Sequence, residues 1–369
     1  MKKISIGAKI IEGPFGGGNK FLENLVKYLK ENNYQVVDNL VDDDIDLILL
    51  VSPLITSTIA TFDHIDIFHY VNNKNPNAIT IQRINECDER KNTNHVNQKI
   101  ITSNEFIDIS VFVSDWLKSL FVEQGLKTKE IFVVKGGPDG TVFNNRNKNQ
   151  WDKKNKLKVV THHWSSNWMK GFESYAKLDN LISDKNWNSK IEFTYIGNLP
   201  KNFKFKNTKV IKPLADVQLS NELKKHDLYI TGSINEPSGN HHMEAAMCGL
   251  PILYINSGGI PEYCEGYGVE FEVDNLEKKL KEIINDYDKY FFRLQKYPYN
   301  FEYAAKTFLE IFNNAIEDKN KYLLLRKRKN RLIVFNTYLI RKMYKKIYFF
   351  YINIRKKLGI LKKRIWLKC

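Results

Sequence analysis

The residues best suited to chemistry lie in one stretch, EPSGNHHMEAAMCGLP, residues 236–251. Glu236 and Glu244 stand eight residues apart, at either end of a Pro-Ser-Gly turn and the first turn of what reads as a helix, directly after the apolar run DLYITGS. Where a buried strand ends and a helix begins, unpaired backbone N–H groups and the helix dipole meet, and anions bind there. The amides of Gly239, Asn240, His241 and His242 are therefore candidates to hold a phosphate. Carboxylates repel phosphate but accept hydrogen bonds from sugar and ribose hydroxyls. Glu236 and Glu244 on two sides of a phosphate suit a nucleotide sugar. His241 and His242 have no third partner at metal-ligand spacing, and read as lining or capping the helix start.

The elements needed to hold such a site recur along the chain. KISIGAKI reads as a buried strand, EGPFGGGNKF as a glycine turn, and Leu22, Leu25, Val26 and Leu29 as a helix face. YQVVD, DIDLILLVSP, AITIQRIN, ISVFVS and EIFVVKGG read as further strands. Apolar runs without clean alternation fit strands buried on both faces, hence a parallel sheet covered by helices. NNRNKNQWDKKNK, residues 144–156, has linker composition. A second set of strands follows in LKVVTHH, IEFTYIGNL, TKVIKPL, DLYITGS and PILYINSG. Leu276, Leu280, Ile283 and Ile284 then mark one face of a helix, with Asp274 and Glu277 at capping-box spacing. In the first half, RINECDERK clusters Arg83, Asn85, Glu86 and Asp88 after a strand, and HYVNNKN places His69 at the end of another. Both polar sets are expected on the acceptor side of a cleft.

The 369 residues carry 57 Lys and Arg against 42 Asp and Glu, a formal charge of +15. That surplus looks like a nucleic-acid binder until it is located. From Lys321 to Cys369 there are 17 basic and no acidic residues, leaving 40 basic against 42 acidic in the first 320. Cys87, Cys248, Cys264 and Cys369 form no metal-binding pattern, and a reduced cytosolic chain is expected. The N-terminal apolar run is too short and broken for a signal peptide, and no run approaches the ~18 apolar residues of a membrane span.

The segment EPSGNHHMEAAMCGLPILYINSGGIPEY resembles the donor site of retaining GT-B glycosyltransferases, with the E-x7-E signature of glycosyltransferase family four, the group 1 type. GPFGGGNKF, which carries Gly17 and Gly18, is similar to that family's first glycine loop, VFVSDWLKSLF to its serine-marked strand and helix, and VVKGGPDGTVF to the end of its first domain. The likeness runs from about Lys3 to Asn314. It implies that Glu236 touches the donor hexose, Glu244 touches the nucleotide ribose, and Lys170, in the Lys170-Gly171 pair, grips the diphosphate. The Arg usual before that pair is replaced by Trp164 or Ser165, which leaves His162 or His163 as the substitute phosphate donor. The family implies retention of configuration, with no metal and no cofactor beyond the sugar donor.

The expected fold is α/β with GT-B architecture, two tandem Rossmann-like doubly wound domains around a cleft. Residues 1–143 would be the acceptor domain, 144–156 the linker, 157–320 the donor domain with a last helix that can return to the first domain, and 321–369 a basic helical tail. In that tail Ile340, Met343, Tyr344, Ile347, Tyr351 and Ile354 form an apolar stripe opposite Arg341, Lys342, Lys345 and Lys346. This is the pattern of a helix lying in a membrane surface of anionic headgroups. Nucleic acid ranks below the membrane because no nucleic-acid motif accompanies the charge, and a plain oligomerisation helix is the other reading. The expected protein is a hexosyltransferase on the cytosolic face of a membrane, acting on a glycan or lipid-linked glycan. The Lys- and Asn-rich composition suggests bacterial surface polysaccharide or lipopolysaccharide synthesis as the setting. Alternatives are a nucleotide-sugar epimerase or phosphorylase of the same architecture, and a non-catalytic nucleotide-sugar-binding partner.

Overall fold

The computed structural model describes residues 1–11, 17–53, 59–326, 336, 338–340, 342–348 and 350–355. Part of the expected glycine turn (12–16), Arg341 and the end of the basic tail (356–369) lie outside the described residues.

The first sheet contains β1 (Lys2–Ile6), β2 (Tyr34–Val37), β3 (Leu47–Leu50), β4 (Ile79–Ile84), β5 (Ile109–Phe112) and β6 (Glu130–Val133), all parallel in the order β2-β1-β3-β4-β5-β6. Its helices are α1 (Gly17–Glu31), α2 (His64–Asn73), the single turn α3 (Asp88–Lys91), α4 (Val96–Asn104) and α5 (Asp115–Glu123). Every residue of β3 and β5 is buried, as strands covered on both faces require.

The second sheet contains β7 (Leu157–His163), β8 (Ile191–Gly197), β9 (Lys209–Ile211), β10 (Leu228–Thr231), β11 (Ile252–Ile255) and β12 (Gly268–Phe271), again parallel, in the order β12-β11-β10-β7-β8-β9. With it go α6 (Phe172–Leu181), α7 (Lys185–Asn188), α8 (Asp216–Leu223), α9 (Asn240–Met247), α10 (Pro261–Cys264), α11 (Leu276–Asn285) and α12 (Tyr287–Leu294). The expected capping box is displaced. Glu272 and Asn275 form it around a short 3-10 turn, and α11 begins only after that turn.

The chain then returns. In α13 (Phe301–Glu317) Ala304, Ala305, Phe308 and Phe312 enter the same core as Ile4, Leu22, Leu25 and Leu29, and Asn313 accepts from Lys2 Nζ at 2.6 Å and Tyr34 Oη at 2.8 Å. α14 (Lys319–Leu325) follows. The linker is strapped down rather than loose: Trp151 lies edge-on to Tyr287 at 5.6 Å, and Gln150 and Lys153 both bond Asp288. Among the described residues, no helix is long and apolar enough to cross a membrane.

Candidate active site

A cleft of about 1090 Å³ opens between the two sheets, at the ends of β4, β7 and β10. Glu236 follows β10 and is 6% exposed. Lys170 Nζ bonds one carboxylate oxygen, and Arg90 Nε bonds the other at 3.0 Å. Burial alone would raise this carboxyl, but the charges of Lys170 and Arg90 outweigh it and hold its pKa at about 2. Glu236 is therefore a fixed anion at neutral pH, an acceptor of hydrogen bonds and not a proton donor.

Local chain geometry sets both partners. Lys170 closes a 3-10 turn, Trp168–Lys170, that ends at Gly171 with φ +99°. A Cβ on Gly171 would fall 2.5 Å from the Gly232 carbonyl carbon, so only glycine lets this turn lie against the end of β10. Gly258, at φ +65°, has its missing Cβ 2.4 Å from the Glu236 carbonyl oxygen, and the Gly259 N–H donates to that oxygen at 2.9 Å. The Ser-Gly-Gly loop thus fixes the Glu236 backbone.

Gly239 precedes α9 at φ +70°, and no side chain caps the helix start. Ser238, Gly239, Asn240 and His241 line the cleft at this start, where the first amides of a helix have no intrahelical partner. α1 begins directly opposite, where a Cβ on Gly17 would lie 2.5 Å from Asn240 Nδ2, while Gly18 borders open space. The two helix starts therefore meet closely in the cleft. Glu244 sits one turn into α9, with Oε2 2.7 Å from His162 Nε2.

The histidines behave differently from one another. His163 Nε2 lies 2.6 Å from Tyr175 Oη, and His241 Nε2 lies 2.9 Å from Thr231 Oγ1. Burial holds both imidazoles well below the usual range and takes His242 down to about 3, so all three are neutral at pH 7. His163 and His241 line the cleft, so any contact from them to a phosphate is an uncharged one. His242 does not line it; it is fully buried between His241 and Tyr263. Among the described residues, no group of three or more His, Cys, Asp or Glu could hold a metal ion.

On the opposite wall Arg83, Asn85 and Glu86 line the cleft. The Arg83 guanidinium lies over the Phe21 ring at 4.2 Å, and burial brings its pKa to about 10, still charged at neutral pH. Two expectations fail here. Asp88 is not in the cleft wall; it accepts from the amides of His95, Val96 and Asn97 at 2.9 to 3.0 Å and fastens the start of α4. His69 does not end a strand. It lies inside α2, away from the cleft, with its ring 4.1 Å from that of Tyr338.

Arg90, which lies within RINECDERK, joins the site without a sequence signal of its own. Its partner is 146 residues away in the other domain, so no local spacing announces the pair. The segment after Ser257 has a further role of the same kind. The Glu262 carboxylate accepts from the amides of Asp115 at 2.9 Å and Trp116 at 2.7 Å, capping α5 across the domain boundary. The Tyr263 hydroxyl donates to the Val113 carbonyl.

The family model described as glycosyl transferases group 1 matches residues 145–307. No curated protein matches the sequence. Among solved structures, Anabaena Alr3699/HepE in complex with UDP is similar at a TM-score of 0.63 and 14% identity, over 85% of this chain and 100% of that one. Sucrose-phosphate synthase from Thermosynechococcus elongatus gives 0.59 and 12%, over 86% and 100%. A glycosyltransferase from Rickettsia africae gives 0.58 and 14%, over 86% and 99%. At such identities the likeness speaks for the fold. Residues 145–307, which hold Glu236, Lys170 and α9, thus match the group 1 glycosyl transferases, and the chain as a whole has the two-domain GT-B fold.

Proposed function

We propose that the protein transfers a hexose from a nucleoside diphosphate sugar to a hydroxyl of a glycan or lipid-linked glycan, with retention and without a metal. The observation that carries this reading is Glu236, a buried carboxylate kept ionised beside Lys170 and next to the uncapped start of α9. Glu236 would accept from hexose hydroxyls and Glu244 from the ribose, while Lys170 and the α9 amides take the diphosphate. In transfer, the bond from C1 to the diphosphate oxygen breaks, a bond from C1 to the acceptor oxygen forms, and the acceptor proton passes to the leaving phosphate. Charge grows on that phosphate, which Lys170 and the amides would border, and preorganised groups lower a barrier most where charge develops. Arg83, Asn85 and Glu86 would border the acceptor. No side chain is assigned as a covalent nucleophile. The anomeric configuration of the product tests retention, and inversion would refute it.

Because Alr3699/HepE was solved with UDP and with UDP-glucose, UDP sugars lead the panel. Thermal unfolding should be followed against UDP, GDP, ADP and CMP sugars. A ligand at 100 times its dissociation constant adds about 2.7 kcal/mol of stability. Stabilisation by one nucleotide class, lost in Glu244→Ala, is expected; no response to any of them would sink the donor site. Binding without turnover over a broad acceptor set would make the protein a nucleotide-sugar-binding partner.

We further propose a peripheral position on an anionic membrane, on the cytosolic side, in bacterial surface polysaccharide synthesis. The support is the helical residues 338–340, 342–348 and 350–355, among which Ile340, Met343, Tyr344, Ile347, Phe350 and Tyr351 are all more than half exposed. The helix touches the first domain through Tyr338 on His69 and through Lys345, 3.8 Å from Asp66. Basic residues near such a surface contribute about 1 kcal/mol each. The full chain should sediment with vesicles containing phosphatidylglycerol and much less with pure phosphatidylcholine, and Ile340→Asp with Ile347→Asp should release it. Equal sedimentation of wild type and double variant would remove the membrane from the reading.

A further inference from the structure

We propose that Arg90, a residue of the first domain, is a diphosphate-binding cation of the donor site, leaving Glu236 for a phosphate oxygen when a nucleoside diphosphate sugar enters. This rests on the donor-site reading above and assigns a residue to it from the domain that was expected to serve only the acceptor.

The argument begins with charge. Two cations, Lys170 and Arg90, share the single carboxylate of Glu236, and all three side chains are largely buried. The nearby Glu86 is occupied by Lys91 at 2.7 Å, and Glu244 by His162. The Lys170–Glu236–Arg90 contact itself therefore carries one more positive than negative charge, in a cleft that the start of α9 also borders. A buried excess of charge is costly unless an opposite charge completes it. The missing partner is an anion.

Geometry agrees with charge. The contact with Glu236 uses Nε, and the two Nη groups take no hydrogen-bond partner among the described residues, although a guanidinium has five N–H donors. Arg90 lines the cleft, as do Lys170 and Gly239. Its forked donors match a phosphate well.

The backbone that carries Arg90 is built to stay in place. Glu89 receives bonds from Asn97 Nδ2 at 2.9 Å and Gln124 Nε2 at 3.0 Å, and Asp88 ties the same turn to α4. Asn235 Nδ2 donates to the Glu89 carbonyl at 3.3 Å, so the turn is docked on the Glu236 loop by its main chain as well. Losing the Arg90 side chain therefore need not move the turn. The hexose hydroxyls that seek Glu236 compete with Arg90 for the same oxygens, and this exchange frees the guanidinium beside the phosphates.

The test uses calorimetric titration of the full chain with UDP, GDP, ADP and CDP, then with the uncharged nucleoside of whichever binds. Arg90→Ala should weaken the diphosphate about 10- to 100-fold, the range of a lost charged hydrogen bond, and change nucleoside binding little. Arg90→Lys should recover part of the loss. Diphosphate affinity in Arg90→Ala equal to wild type, or greater because the cleft opens more easily, would overturn the proposal and leave the donor site standing. Equal loss for diphosphate and nucleoside would also overturn it, showing Arg90 to be structural. If wild type binds none of the four, the donor-site reading fails and this proposal falls with it.

Discussion

Lys170→Ala should reduce sugar transfer about 100- to 1,000-fold in kcat, the usual cost of deleting one preorganised donor aimed at developing charge. Two losses combine. The second domain gives up the cation that would border the diphosphate in the proposed donor site, and Glu236, whose side chain is 8% exposed, keeps only Arg90 as its counter-charge. Release of nucleoside diphosphate during steady-state transfer measures the effect. Activity within tenfold of wild type would remove Lys170 from the role assigned to it. Donor affinity should fall less than kcat does, because the added charge on the leaving group exists only in the transition state.

The second large effect is expected from a residue that contacts no substrate. Gly258→Ala must place a methyl group 2.4 Å from the Glu236 carbonyl oxygen and 2.6 Å from its amide nitrogen, at a φ of +65°. Something has to move, and the movable part is the loop that holds Glu236. Backbone strain of this kind costs about 1–3 kcal/mol, and nucleotide-sugar binding should weaken with it. Gly266→Ala is the matched control: its φ is +84°, but nothing lies within 4 Å of the new methyl. That variant should lose stability from the φ strain alone and bind as wild type does. Urea denaturation alongside titration separates the two, and equal binding by both would show that the Gly258 loop does not position Glu236.

What could be read from the chain alone was what lies close together in it. Glu236, Gly239 and Glu244 share one segment, and so do Lys170 and Gly171, so their placement at the end of a strand followed from local pattern. β12 was not visible because it starts with Gly268, whose missing Cβ would fall 1.7 Å from the Ile252 carbonyl oxygen. The close approach of strands that demands glycine also interrupts the apolar run by which a strand is recognised. His69 departs from its expected place for the opposite reason. IFHYV is rich in strand-forming residues, yet Asp63 and Asp66 form a capping box ahead of it, and the segment becomes part of α2. The pairing of Arg90 with Glu236 depends on how two domains close, and no one-dimensional pattern contains it.

The return of α13 bears on how the protein is made. Phe308 and Phe312 complete the core beneath α1, yet they leave the ribosome after the whole second sheet has been synthesised. From the end of β6 to the start of α13 is a stretch that takes on the order of 10–30 s to translate at typical rates. During that interval the first sheet has β1 to β6 but an uncovered apolar face, while residues 157–294 already hold every strand of their own sheet. The domain that begins translation is therefore the last to be finished, and a nascent chain stalled before residue 301 presents Leu22, Leu25 and Leu29 to whatever chaperone is near.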